Sequence, residues 1–332
     1  MVFVLLMACS DAKESQLQKF LLKGNLAFKE RNFEQATYYY GEAIKMEPCY
    51  ADAWNNLGTV YFEQDRFELA HENYEKAIAC RPDFVNALIN HANTSYELKE
   101  YYTALSDLEK VAKLKPDTAL VYSTEGLVYT RMREFDKALT SFNKAMTMDP
   151  GNIDNKVNHA IVQYYLKEYA KARNELEECA KLKPEEPNIY NTLAMIQTEE
   201  GNYEDALVSV EKALSFSPHE PYFLNNRGLI YFNMKEFDKA EADINESIGL
   251  DPYNAWAYRN KGILLLEKKD YVNAERLLTQ SADMDPFVDR VYFYLGVAFF
   301  KNGKDAKACE SFRKSEELGD GAVSTDLMKA CK

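Results

Sequence analysis

Residues 51–84 read ADAWNNLGTVYFEQDRFELAHENYEKAIACRPDF. Over 51–63 the apolar residues Trp54, Leu57 and Tyr61 recur at intervals of three and four, the spacing that puts them on one face of an α-helix. Over 68–80, Ala70, Tyr74, Ala77 and Ile78 do the same. Pro82 ends the second helix, because proline lacks an N–H and crowds the preceding turn. The stretch therefore encodes two short amphipathic helices joined by a tight turn. Such a pair has no means of burying its apolar face alone and needs neighbours of the same kind.

The neighbours are in the chain. Pro48, Pro82, Pro116, Pro150, Pro184, Pro218, Pro252 and Pro286 follow one another every 34 residues without an insertion. Ala36, Ala70, Ala104, Ala138, Ala172, Ala206, Ala240, Ala274 and Ala308 form a second column. Twelve positions before each of these alanines stands Gly or Ala, from Gly24 and Gly58 to Gly296. Three positions before them stands an aromatic, from Phe33 and Phe67 to Tyr271, until Asp305 breaks the column in the last copy. Small residues allow two helix backbones to approach closely, and the aromatic plugs the turn.

Residues 51–84, through Trp54, Asn56, Leu57, Gly58, Tyr61, Phe67, Ala70, Tyr74, Ala77 and Pro82, resemble the tetratricopeptide-repeat consensus. The resemblance implies an all-α solenoid of nine helix-turn-helix repeats of 34 residues in a right-handed superhelix. The copies start at 17, 51, 85, 119, 153, 187, 221, 255 and 289 and cover 17–322, the ninth having Asp320 where proline is expected. Residues 323–332 are then expected to form a C-terminal capping helix, and residues 1–16 lie outside the array.

The resemblance also implies where a ligand sits, since the first helix of each pair lines the concave surface. Its sixth position reads Leu22, Asn56, Asn90, Thr124, Asn158, Thr192, Asn226, Asn260 and Tyr294. An Asn amide both donates and accepts, so a row of Asn56, Asn90, Asn158, Asn226 and Asn260 could grip the backbone of an extended peptide. The alternative is that Asn simply belongs to the consensus at that place. Aromatics such as Tyr96 and Trp256 crowd the same surface and are candidate anchors. Arg259 and Arg290, in adjacent copies, are candidates for holding a carboxylate. The carboxylate clamp of chaperone-binding repeats is not matched. Asn25 and Asn56 fit its Asn positions, but Leu21, Asn86 and Asn90 stand where it needs basic residues.

Composition narrows the function. The net charge of −13 disfavours an electrostatic grip on nucleic acid, and a basic or neutral partner is steered in more easily. No Gly-rich phosphate loop, H-E-x-x-H or G-x-S-x-G is present, so no catalytic residues, cofactor or metal are expected. His91 and His159 share a repeat column two copies apart, too far for joint ligands, and no Cys/His spacing resembles a zinc site. The expectation is a non-catalytic scaffold or adaptor for proteins or extended peptides. A further reading is a substrate-recruiting subunit for an enzyme on another chain.

The apolar run MVFVLLMAC ends in Leu6-Met7-Ala8-Cys9, which resembles a bacterial lipobox. On that reading Cys9 is acylated, 10–16 is a tether, and the protein is lipid-anchored in the cell envelope. A signal peptide ordinarily begins with Lys or Arg, which Met1-Val2-Phe3 lacks. The other reading is an apolar cap on Leu17, Leu21 and Leu22 of a cytoplasmic adaptor. Export permits disulfides, and Cys309 with Cys331 could pin the tail, while Cys179 stands in a small-residue packing column as a buried thiol.

Overall fold

The computed structural model describes residues 2–320, 323–324 and 327–331; the side chains of 2–12 and of 329–330 lie outside that description. The described residues form eighteen α-helices in nine consecutive pairs. The pairs are α1 (Val2–Lys29) with α2 (Phe33–Met46), α3 (Ala51–Phe62) with α4 (Phe67–Cys80), and α5 (Val85–Glu97) with α6 (Tyr101–Leu114). Next come α7 (Ala119–Arg131) with α8 (Phe135–Met148), α9 (Ile153–Tyr165) with α10 (Tyr169–Leu182), and α11 (Pro187–Glu199) with α12 (Tyr203–Phe216). The last are α13 (Pro221–Asn233) with α14 (Phe237–Leu250), α15 (Ala255–Glu267) with α16 (Tyr271–Met284), and α17 (Val291–Lys301) with α18 (Asp305–Glu317). The all-α repeat solenoid expected from the 34-residue ruler is the fold observed. The chain forms two compact units, Met1–Val128 with Thr147–Asp149, and Tyr129–Met146 with Pro150–Lys332.

The columns explain the packing. Helices of one pair lie against each other, as α3 on α4 and α13 on α14, and within each unit second helices pack on the next first helix, as α4 on α5 and α16 on α17. The Ala column is fully buried at Ala36, Ala70, Ala172, Ala206 and Ala274. The Gly/Ala column sets how large a partner the second helix can present. A Cβ on Gly58 would lie 2.7 Å from Cε1 of the buried Tyr74, and one on Gly296 would lie 2.4 Å from the Phe312 ring. Where that column holds Ala92, Ala160 or Ala194, the residue sixteen positions on is the smaller Leu108, Leu176 or Val210. The aromatics Tyr40, Tyr74 and Phe312 thus stand only opposite glycine, while Gly228 and Gly262 face the aliphatic Ile244 and Leu278.

Every turn within a pair bends through a left-handed residue. Arg31, Asp65, Lys99, Arg133, Lys167, Lys235 and Lys269 have φ between 55° and 65°, and Gly201 and Gly303 fill the same place. This is the conformation that ends a helix and frees the chain to reverse. Two prolines off the 34-residue ruler, Pro187 and Pro221, occupy the first helical positions of α11 and α13, where a missing N–H costs nothing.

The ends depart from the ruler. Residues 10–16, read as a tether, lie within α1. Cys9, the candidate acylation site, also falls in that helix, but its side chain lies outside the described residues. The ninth pair begins at Val291, two residues later than the ruler predicts, because the backbone between Pro286 and α17 turns through Arg290 at φ 55°. The expected capping helix is instead a short 3-10 helix, Leu327–Cys331. It is pinned to α18 by a Cys309–Cys331 disulfide and to the core by buried Val323, which leaves little chain for α-helical turns. A second disulfide, Cys49–Cys80, joins the end of α4 to the loop after α2. Cys179 is a buried free thiol. Among the described residues no helix is long and apolar enough to cross a membrane.

Candidate protein-binding groove

Four of the five sixth-position asparagines, Asn56, Asn90, Asn226 and Asn260, donate to an asparagine of the preceding repeat, two of them in each unit. Asn226 Nδ2 donates to Asn191 Oδ1 at 2.9 Å, and Asn260 Nδ2 to Asn225 Oδ1 at 2.8 Å. In the first unit Asn90 Nδ2 donates to Asn55 Oδ1 at 3.0 Å and Asn56 Nδ2 to Asn25 Oδ1 at 2.9 Å. In three of these four bonds the acceptor is the fifth-position Asn of the preceding repeat, a column that reading the sixth position alone misses. One of the two N–H donors of each of these amides is therefore spent on joining successive first helices. Asn226 still faces the groove, and its Oδ1 is the half outside that bond. Asn158 stands half-buried on α9 outside these bonds.

The second unit contains a cavity of about 330 Å³ on the surface formed by its first helices. Tyr164 and Tyr165 from the end of α9, Phe232 from α13, Trp256 from α15 and Tyr294 from α17 contribute its aromatic walls. Tyr165 is itself stacked on Phe135, with ring planes 8° apart. Burial pushes the Tyr164 hydroxyl well above its ordinary pKa, and Tyr165 also upward, so both remain neutral hydrogen-bonding groups. Tyr96 lies apart from this cavity, half-buried on α5 near Tyr101.

Charge in the cavity is concentrated at the loop before α17. Arg259 is buried and committed: Nη1 donates to the Asp289 carbonyl at 2.7 Å, while Nε and Nη2 donate to Asn260 Oδ1 at 3.0 and 2.8 Å. Its guanidinium also lies over the Trp256 ring, 5.1 Å from the centroid. The Asp289 carboxylate accepts from Arg133 at 3.1 Å. Arg290 is different. Its side chain is 38% exposed, and Nε lies 3.7 Å from Asp289 Oδ2, an ion pair without a short hydrogen bond. Burial pulls its pKa down, but Asp289 and Glu199 outweigh that and hold it above the ordinary value. Of the two predicted arginines, Arg259 is buried in the wall, whereas Arg290 keeps a partly exposed guanidinium at the cavity. Asp289 and Arg133 escaped the sequence reading, since one lies in an inter-repeat loop and the other in a turn far away in the chain.

Stacked helix pairs with a lined groove define an α-solenoid of the interaction class. Tetratricopeptide-repeat family models match residues 51–84 and 221–254, 119–152, and 157–221 with 257–323, together more than half of the chain. The chain belongs to the tetratricopeptide-repeat family, whose members generally serve as protein-interaction scaffolds; no catalytic family is indicated. Among solved structures, PilF of Pseudomonas aeruginosa is similar at 21% identity with a TM-score of 0.54, over 68% of this chain and 99% of that one. A chain of the APC/C hetero-tetramer Cut9–Hcn1 is similar at 16% identity with a TM-score of 0.52, over 95% of this chain and 76% of that one. At these identities the likeness bears on the fold alone. No curated protein matches the chain.

Proposed function

We propose that this protein is a non-catalytic scaffold that holds an extended segment of a partner in the groove of its second unit. The observation that carries this reading is the aromatic cavity with the Arg290 guanidinium at its edge. An apolar or aromatic side chain of the partner seats between Trp256 and Tyr164, and a carboxylate or main-chain carbonyl is held by Arg290. Buried aromatic contacts flanked by Arg are the usual composition of binding hot spots. The net charge of −13 favours a partner with basic flanks.

The protein acts in the cell envelope, anchored through acylated Cys9. Two features support this: the Leu6-Met7-Ala8-Cys9 sequence, and two disulfides whose Cα–Cα distances of 5.3 and 4.9 Å suit bridging, a chemistry that belongs to oxidising compartments.

Two experiments test the reading. Cross-linking and co-purification from the native host compares wild type with Arg290→Gln and with Tyr38→Ala, a surface change outside the cavity. A partner retained by wild type and Tyr38→Ala but lost about tenfold with Arg290→Gln is expected, as for a charge-assisted hot spot. An unchanged partner set refutes the groove. Membrane fractionation with intact-mass measurement compares wild type with Cys9→Ala. A lipid-modified Cys9 is expected, and an unmodified soluble chain moves the scaffold to the cytoplasm.

A further inference from the structure

His71 on α4 and His91 on α5 belong to successive repeats, yet their imidazole centroids lie 4.1 Å apart with planes tilted by 40°. His91 Nδ1 donates to the Asp107 carboxylate at 2.5 Å, and Asp107 is held in turn by Lys110 at 2.8 Å. In a neutral imidazole that contact places the proton on Nδ1 and leaves Nε2 as the nitrogen with the lone pair. His91 is 6% exposed, and its Nε2 has no hydrogen-bond partner among the described residues. Nε2 of His71 is buried without one as well; Glu100 Oε2 lies 3.4 Å away, outside hydrogen-bonding geometry. Glu75, one helical turn after His71, brings a carboxylate oxygen to 3.9 Å from His71 Nδ1. One ligating atom from each of His71, Glu75 and His91 falls within 4.8 Å of the others.

Elsewhere in the array the seventh position of a first helix carries the same kind of pair without a second imidazole. His159 contacts Glu175 at 2.8 Å, and Arg227 forks onto Asp243 at 2.7 and 2.8 Å. An ion pair within a repeat therefore accounts for Asp107 and His91 Nδ1. It does not account for a half-buried and a buried imidazole from different repeats packed at 4.1 Å, each with a buried Nε2 that makes no hydrogen bond, an arrangement that costs free energy unless something occupies it.

We propose that His71, Glu75 and His91 form a binding site for a divalent late first-row metal ion, of which Zn²⁺ is the type. Two imidazoles and a carboxylate are a three-ligand set for such an ion with one position left for water. Binding requires these three atoms to close from within 4.8 Å of one another to the spacing of ligands around one ion. Asp107 supplies the outer carboxylate that orients a metal-binding histidine and raises its basicity. Glu75, with its side chain 60% exposed, provides the entry path. Because the ligands come from α4 and α5, the ion clamps two successive repeats.

The full chain, stripped with chelator and dialysed, is titrated with ZnCl₂ against a chromophoric zinc indicator, and with CoCl₂ for visible absorption. One equivalent of Zn²⁺ bound at micromolar affinity or tighter is expected, with a Co²⁺ spectrum of low-coordinate intensity. His71→Ala and His91→Ala abolish both signals, Asp107→Asn weakens binding by about 10–100-fold, and His159→Ala leaves it unchanged. Glu75→Gln, at an exposed position that folding does not depend on, weakens binding at least fivefold. This keeps the test decisive if a histidine variant fails to fold. No stoichiometric binding, or binding indifferent to Glu75→Gln and His71→Ala, overturns the site.

Discussion

The Arg133 guanidinium donates to the Asp289 carboxylate at 3.1 Å across 156 positions of chain, and also contacts Asp320, 187 positions away. Arg133 is the left-handed residue of the turn between α7 and α8, while Asp289 and Asp320 bracket the last repeat. One side chain thereby ties two ends of the second unit and sets Asp289 in the wall of the cavity. The Asp320 side chain is 2% exposed, so removing its cation strands a buried carboxylate. Arg133→Ala is expected to lose about 3 kcal/mol of stability in urea unfolding. Arg133→Lys recovers only part, since a shorter side chain with a single nitrogen replaces a planar fork whose two Nη atoms each reach a separate carboxylate. An Ala variant as stable as wild type contradicts this role.

Gly58 is required by Tyr74. A methyl group at 58 would lie 2.7 Å from the ring of a side chain that is 1% exposed. Gly58→Ala gains about 1 kcal/mol of helix propensity but strains the core by about 1–3 kcal/mol, for a net loss. Tyr74→Leu in that background recreates the Ala92–Leu108 combination of the next repeat. The double variant should be more stable than the sum of the single effects by at least about 1 kcal/mol, as expected for residues in contact. Additive effects in urea unfolding would show that the two columns are not sterically coupled.

What was legible in the sequence follows from how far each interaction reaches. The helix pairs, the turn positions and the Gly/Ala and aromatic columns are decided within one or two repeats, so periodicity displays them directly. The Asn56 and Asn226 column was visible, but its use was not, because the partners Asn25 and Asn191 lie one repeat earlier in different columns. His71 and His91 also occupy different columns, and only the packing of α4 on α5 brings them together. Arg133 and Asp289 meet across 156 positions of chain, a separation that no local spacing records. Cys309 with Cys331 could be proposed from the tail, whereas Cys49 and Cys80 meet only when adjacent repeats are stacked.

Burial pushes the Tyr74 hydroxyl up to about 12, against the opposing hydrogen bond to Thr59. Its ordinary pKa is about 10, so between these values the unfolded chain loses a proton that the folded chain keeps. Stability from this group is therefore fully present below about pH 10 and drains as pH rises toward 12, by about 3 kcal/mol over the window. Comparing urea midpoints at about pH 9 and pH 11.5, wild type is expected to fall further than Tyr74→Phe. Equal falls would mean that the hydroxyl titrates alike in both states.

The Cys49–Cys80 bridge closes a loop of sequence separation 31 and joins the loop after α2 to the end of α4. Cross-linking removes chain entropy from the unfolded state, which for a loop of this length amounts to about 3–4 kcal/mol. Because stability in a repeat array depends on nearest-neighbour interfaces, the effect is concentrated at the first two repeats. Cys49→Ser with Cys80→Ser is expected to increase hydrogen exchange in α1–α4 and to leave α13–α18 unchanged. Reduction of the wild-type chain should reproduce that pattern and additionally loosen Leu327–Cys331, which the second bridge holds. Exchange in α1–α4 that is indifferent to both treatments would show that the interface between the first repeats needs no covalent support.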